Sequence, residues 1–290
     1  MKIAIYTKQF SEEVLKIVKQ IIDTCEKYSI EIEINESLSQ NSNLKSTAYT
    51  IEKLESDYLI SIGGDGTLLD TILYIKDKNI PVLGINTGRM GFLATMNENE
   101  VDLIIKNISK GSYKIEKRSM LYLETNNELF GQYNIGLNDF VVHKKDTSSM
   151  ITIHTYLNGD YLNSYWADGI IISTPTGSTG YSLSCGGPII FPSSNSFSIT
   201  PVSPHHLNVR PVIVPDNSVI SFEVDSRGSN FLASLDSRSM TVDSSIQMAV
   251  RKCDYPFKLL NINDKSYIET LQKKMNWGSD LRNKKKNLFK

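Results

Sequence analysis

The chain has 290 residues, a length that fits two folding units. Its 31 Lys and Arg nearly cancel 32 Asp and Glu, and a formal net charge of −1 excludes the electrostatic footprint of a nucleic-acid or anionic-membrane binder. Apolar residues make up 40 %, enough for sizeable cores, and no apolar run approaches the roughly 20 residues of a membrane-spanning helix.

The first residues, Met1-Lys2-Ile3-Ala4-Ile5-Tyr6, hold too short an apolar run for a secretory leader and read as a buried strand. A Ser11-x-Glu13 start then leads into a helical stripe of Val14, Leu15, Ile17, Val18, Ile21 and Ile22. Ile30, Ile32 and Ile34 alternate with Glu31 and Glu33, the pattern of a half-exposed edge strand. A strand over 58–62, a helix over 68–75 carrying Leu68, Leu69, Ile72 and Leu73, and a strand over 80–85 complete the first third. Strands separated by helices imply parallel pairing in a Rossmann-like layered domain. Ligands of such sheets sit beyond the carboxyl ends of the strands, where residues 63–67 and 86–92 fall.

Residues 61–67, S-I-G-G-D-G-T, are the most informative stretch in this part. Gly63, Gly64 and Gly66 let a bulky anion approach the backbone, and the helix start at Thr67 turns unpaired N–H groups and partial positive charge toward it. Asp65 is out of place in a pure phosphate cradle, because a carboxylate repels the ligand. Its presence points to phosphoryl transfer, with the carboxylate either holding a metal that bridges phosphates or accepting the proton of a hydroxyl. A glycine turn in which Asp65 merely caps the helix is the other reading.

From about Arg118 the texture becomes all-β, with short runs at 120–124, 135–142, 151–157, 170–173, 212–214, 219–224 and 239–250. Turn signals such as Asn158-Gly159-Asp160 and Pro215-Asp216-Asn217 separate them, and two packed sheets are expected. Residues 266–275 return to helical spacing through Ile268, Leu271 and Met275, a helix that must dock on the first domain. The expectation is therefore an α+β two-domain chain: an α/β domain over 1–117, a β-sandwich over 118–263, and a returning helix with its tail over 264–290. The basic cluster over 282–286 reads as a solvated tail. Cys25, Cys185 and Cys253 are few, odd in number and far apart, which points to reduced thiols in a cytoplasmic protein without disulfide frame or zinc spacing.

Within the second domain, residues 168–184 read D-G-I-I-I-S-T-P-T-G-S-T-G-Y-S-L-S, an apolar strand running into a loop dense in hydroxyls. Eight hydroxyl side chains (Ser173, Thr174, Thr176, Ser178, Thr179, Tyr181, Ser182 and Ser184) suit the polar edges of a nucleotide, although such loops are also ordinary turns. The loop has no Lys and is not a Walker-type cradle. His205 and His206 adjoin prolines and read as structural, Met90, Met96 and Tyr74 as core. Asn86, in a strand-end loop, needs partners that an adenine or phosphate would supply.

The G-G-D-G-T loop and the 174–184 segment together closely resemble the two signatures of the NAD kinase family. Residues 84–93, G-I-N-T-G-R-M-G-F-L, are similar to its G-x-N-x-G-x-x-G-F-L, and Asn138-Asp139 to its Asn–acid pair. Pro201 to Pro211 and Asn276-Trp277-Gly278 look like its later segments, so the resemblance runs in order over nearly the whole chain.

The resemblance implies transfer of a phosphoryl group from ATP, or another donor, to the adenosine-ribose 2′-hydroxyl of NAD, giving NADP. It makes Asp65 the proton acceptor, brings Gly66 to the ligand beside it, and packs Phe92 against a ring of NAD. Asn138 and Asp139 would bind ribose hydroxyls, which neighbours on a strand can do together only at a strand end or kink. Asp168 would bind the nicotinamide end or its ribose, and Thr179, Gly180, Tyr181, Ser182, Leu183 and Ser184 would wrap the adenosine. Gly63, Gly64, Thr67 and Asn86 are further candidates. Gly180 stands where the family commonly has Ala, and Ser237 follows Asp236 where the family has Gly or His, which puts the assignment of Asp236 in doubt. No role is assigned to Trp166 or Ser149. A divalent cation, magnesium, is expected on the nucleotide phosphates, with no protein metal cluster, and a homodimer or homotetramer is implied. Competing readings are a lipid or sugar kinase, a non-catalytic NAD-binding sensor, and a dehydrogenase; the last lacks a G-x-G-x-x-G with an acid about 20 residues on.

Overall fold

The computed structural model describes residues 1–277 apart from 43, 45, 51, 89, 90, 146–148, 227, 229 and 263–265. Arg89, Met90, Gly278 and the basic cluster over 282–286 lie outside the described residues.

Alternating strand and helix signals build the first domain. It contains β1 (Lys2–Tyr6), α1 (Glu12–Lys27), β2 (Glu31–Asn35), α2 (Glu36–Gln40), β3 (Thr47–Tyr49), β4 (Tyr58–Ile62), α3 (Asp65–Asp70), α4 (Ile72–Ile75) and β5 (Val82–Asn86). Then follow β6 (Met96–Asn97), α5 (Val101–Ser109) and β7 (Lys114–Arg118). Ser11 caps α1 by accepting from the Val14 N–H at 3.4 Å. The strands β3-β2-β1-β4-β5 lie side by side and parallel, the doubly wound order. On one face α1 and α5 bury Ile17, Ile21, Ile104 and Ile108.

Strand β2 is not at the sheet edge that its alternation suggests, because β3 pairs along it. Glu33 is consequently buried, and it keeps its charge satisfied through Lys2 at 2.6 Å and the Ser56 hydroxyl at 2.5 Å. The helix expected over 68–75 is broken at Thr71, whose hydroxyl donates back to the Leu68 carbonyl at 2.6 Å.

The second domain is a sandwich built from β8 (Leu121–Thr125), β9 (Ile135–Gly136), β10 (Asp139–Lys144), β11 (Ile151–Leu157), β12 (Asp160–Ala167) and β13 (Gly169–Ser173). Past the one-turn α6 (Tyr181–Ser184) it continues with β14 (Ser196–Val202), β15 (Val212–Pro215), β16 (Ile220–Asp225), β17 (Asn230–Leu235), β18 (Arg238–Asp243) and β19 (Met248–Lys252). One sheet runs β15-β14-β13-β10-β17-β18, the other β12-β11-β16-β19-β8-β9. Their inward faces share a core that includes Phe140 and Phe222, one from each sheet, with ring centroids 6.0 Å apart.

The chain then returns. β20 (Phe257–Asn261), which falls inside the 118–263 span expected for the sandwich, joins the first sheet between β5 and β7. The last described element, α7 (Tyr267–Met275), starts at Ser266, whose hydroxyl accepts from the Glu269 N–H at 3.1 Å. A continuous apolar cluster joins Leu68, Ile72 and Leu93 of the first domain to Met120, Ile135 and Leu137 of the second. Among the described residues no helix is long and apolar enough to cross a membrane.

Candidate active site

Gly63 turns the chain out of β4 with φ at +147°, and a Cβ there would lie 2.4 Å from the Thr67 hydroxyl. Its N–H is tied to the Ile85 carbonyl at 2.9 Å, so the loop starts from a fixed point beside β5. Gly64 and Gly66 have open space where a Cβ would stand, consistent with close approach of a ligand.

Asp65 does not cap α3: Gly64 is the cap, without a side-chain bond. Instead its carboxylate crosses to the loop after β5. Oδ2 accepts the Phe92 N–H at 2.7 Å, and Oδ1 accepts those of Leu93 at 3.1 Å and Ala94 at 2.9 Å. A carboxylate has about four lone-pair positions, so three main-chain donors leave one, on Oδ2. The same loop is closed by the Gly91 N–H to the Ala94 carbonyl at 3.2 Å. Asn86, buried, accepts the Gly88 N–H at 2.7 Å and reaches the Ala94 carbonyl at 3.5 Å, so the partners sought for it in a ligand are found in this loop.

A second carboxylate uses the same device in the sandwich. Asp236, left-handed at φ +52°, accepts from Leu137 N–H at 2.8 Å, Asn138 N–H at 2.8 Å and Asp139 N–H at 3.1 Å. These amides are withdrawn from the ladder, and the run expected over 135–142 divides there into β9 and β10. Asn138 and Asp139 thus stand at a break, the geometry that lets neighbours face one ligand. Burial, reinforced by the Asp236 charge, pushes the Asp139 carboxyl up to about 7. Burial also raises Asp236, against the lowering effect of its three amides and of Arg238. The Arg238 guanidinium donates to the Tyr133 and Ile135 carbonyls just before the break.

The hydroxyl-rich segment is wired in large part into the protein itself. Ser173, Thr174, Thr176, Ser178 and Ser182 are buried. Thr174 donates to the Leu137 carbonyl at 2.6 Å, Ser178 to the Pro175 carbonyl at 2.7 Å, and Ser182 pairs with Thr200 at 3.0 Å. They build the loop and set it against the 137–139 break, where a Cβ on Gly177 would strike the Asn138 carbonyl at 2.1 Å. Thr179, Gly180, Tyr181, Leu183 and Ser184 remain at least partly exposed. At Gly180 a Cβ would lie 4.0 Å from both Asn138 Nδ2 and Asp139 Oδ2, which places this glycine beside the pair.

Asn138, Asp139, Tyr181 and Asp236 line one cleft of about 480 Å³, together with His143 and, from α3, Leu69. His143 was not singled out in the sequence; the period of two from Asp139 through Val141 along β10 is the signal that puts it on the same face. Burial raises the Tyr181 phenol, and Cys185, Asp168 and Asp139 act in the same direction. Asp168 is paired with Lys144 at 2.6 Å. Ser237, in the turn after Asp236, donates to Asp70 at 3.3 Å and links the sandwich to the end of α3. His205 and His206 lie on the surface, the His205 ring tilted against Trp166 with centroids 4.2 Å apart. Among the described residues no three His, Cys, Asp or Glu side chains converge as a metal-ligand group.

A model of the ATP-NAD kinase N-terminal domain matches residues 6–113, and one of the ATP-NAD kinase C-terminal domain matches 137–262. The chain is similar to the NAD kinase of Cytophaga hutchinsonii, 47 % identical over 98 % of this chain and 100 % of that protein. With the NAD kinase of Flavobacterium johnsoniae it shares 41 % identity, again over 98 % and 100 %. Its fold is shared by solved structures, among them the following two. Yeast NADH kinase complexed with NADH superposes with a TM-score of 0.87 at 20 % identity, over 97 % of this chain and 89 % of that one. The NAD kinase from Archaeoglobus fulgidus in complex with ATP gives 0.75 at 22 %, over 95 % and 99 %.

Proposed function

The chain belongs to the NAD kinase family, and on that premise we propose that Asp65 is the proton acceptor when NAD is phosphorylated to NADP by ATP. The adenosine-ribose 2′-oxygen forms its bond to the γ-phosphorus as the bond to the β,γ-bridging oxygen breaks, ADP leaves, and the hydroxyl proton passes to Asp65. The observation that carries this reading is the amide cradle: three N–H groups fix both carboxylate oxygens and leave a single open position on Oδ2. A carboxylate is a weak base toward an alcohol, so the proton leaves late, and positioning supplies most of the acceleration in a loose transition state.

Asn138 and Asp139 hold ribose hydroxyls in this reading, Gly66 lets the ligand close on the loop, and Phe92 offers a ring face. Thr179 to Ser184 border the adenosine, while Asp168, with Lys144 beside it, meets the nicotinamide end. Ser182 contributes through its main chain, since its hydroxyl is paired with Thr200. A divalent cation such as magnesium would, when bound, supply charge neutralisation for the transferred phosphoryl group. The donor set fits one carried by the nucleotide phosphates, because Asp65 has one open position. A homo-oligomer and a cytoplasmic setting, in keeping with three free cysteines, belong to the same proposal.

The deciding experiment is incubation with NAD, ATP and magnesium, followed by assay for NADP. NADP formation that disappears in Asp65→Asn is expected. Phosphate appearing instead on a lipid or a sugar, with no NADP, overturns the reading.

A further inference from the structure

Helix α7 reaches the neighbourhood of Asp65 through one aromatic ring. Tyr267, its first residue, has its ring centroid 6.3 Å from that of Phe92 and 5.3 Å from that of Phe191, both within the range of interacting aromatic pairs. Phe92 belongs to the loop that holds Asp65 and donates its own N–H to Oδ2. Phe191 follows Ile190, whose N–H binds the Ser178 hydroxyl inside the hydroxyl-rich loop. A single ring from the end of the chain therefore spans the carboxylate cradle of one domain and the loop of the other. Lys274, seven residues on and so two turns along the same helix face, sets its ammonium 5.8 Å from the centre of the Phe92 ring. The Tyr267 hydroxyl is buried and finds no hydrogen-bond partner, so the ring alone makes these contacts.

We propose that Tyr267 is a positioning residue: by clamping Phe92 from its other side while anchored on Phe191, it holds the 92–94 amides in register on the Asp65 carboxylate. The role in turnover rests on the NAD kinase reading of Asp65; the clamp itself does not. Phe92 is the neighbour of the cradle that has no other described aromatic partner, and displacement of a reacting group by about 1 Å is enough to lower rates by as much as 10²-fold.

The test compares Tyr267→Ala, Tyr267→Leu and Tyr267→Phe with a distant core variant, Ile153→Val, whose side chain is buried in the sandwich. Two quantities are read: amide hydrogen exchange over residues 92–94, and the split between kcat and KM for NADP formation. The Ala and Leu variants are expected to speed exchange at 92–94 by about 10-fold or more and to lower kcat by roughly 10–100-fold, with KM for ATP within about 3-fold. Tyr267→Phe keeps the ring and restores both readouts, and Ile153→Val lowers Tm without touching either. Wild-type exchange in both ring-less variants, or a Phe variant as damaged as the Ala variant, overturns the proposal. Absence of NADP from the wild type would instead sink the kinase reading, while the exchange data would still decide on the clamp.

Discussion

The α-carbon of Gly91 lies against the carboxylate of Asp65: a Cβ at position 91 would stand 1.7 Å from Oδ1 and 2.7 Å from Oδ2. Position 91 is thus closed to every other residue by the catalytic candidate itself. Gly91→Ala is expected to push Asp65 off the 92–94 amides and lower NADP formation by about 10²-fold or more, with a melting temperature within a few degrees of wild type. Steady-state rates and a thermal melt check it; wild-type turnover would show that the cradle has no catalytic weight.

Asp65→Asn tests the proton acceptor directly. Asn keeps an oxygen for two of the amides but turns an NH2 toward the third or toward the substrate hydroxyl. Turnover is expected to fall by roughly 10²–10⁴-fold, the usual range for losing a general base, with NAD affinity changed much less. Equal losses in NAD binding and in kcat would contradict the role.

Asp139 makes stability depend on pH in an unusual direction. Its carboxyl is raised to about 7, whereas the unfolded chain titrates near 3.8, so between those values the folded state binds the extra proton. Stability from this group is therefore present at low pH and is lost as pH rises toward 7, by at most roughly 4 kcal/mol. Asp139→Asn removes the penalty, and its Tm advantage over wild type is expected to grow from pH 5 to pH 8. A Tm difference constant across that range would mean the carboxyl is not perturbed.

Asp236 is expected to act by holding, not by touching substrate. Asp236→Ala strands three main-chain N–H groups and puts a Cβ-bearing residue without a local acceptor at φ +52°, at a loss of roughly 2–5 kcal/mol. Asp236→Asn keeps an acceptor and tolerates the left-handed backbone, so it should retain most stability and NAD affinity. Denaturant melts and NAD titration of the two variants distinguish this from a direct ligand contact, in which case both would lose affinity alike.

Period-two and period-3.6 patterning carried the fold well where one face of an element is buried. Residues 151–157 alternate cleanly and form β11 over the same residues. Segments whose outward face is polar escaped notice: β12 reads D-Y-L-N-S-Y-W-A, with too few apolar residues in alternation to register, yet it pairs along the whole of β11. Glu33 misled for the opposite reason, since a charge in a strand signals solvent unless a partner such as Lys2 is foreseen.

The site was legible in its residue types and obscure in its wiring. Asp65 announces itself as a carboxylate among glycines, but the donors that fix it are backbone amides of Phe92, Leu93 and Ala94, which leave no mark on side-chain identity. The same holds for Asp236, doubtful from its neighbour Ser237 and explained once its three amide partners are known. Among the hydroxyls of residues 173–184, composition cannot tell one facing a cleft from one folded back on the main chain, as Thr174 and Ser178 are.

β20 occupies the place between β5 and β7, so the strand that finishes the N-terminal sheet is encoded after the entire sandwich. On the ribosome, β7 emerges without the neighbour it will pair with, and the first domain stays open along that edge until residue 261 has been made. The two halves consequently cannot be separated by a cut near residue 117: each fragment would carry one unmatched strand, and completion of the first domain must wait until β20 has been made.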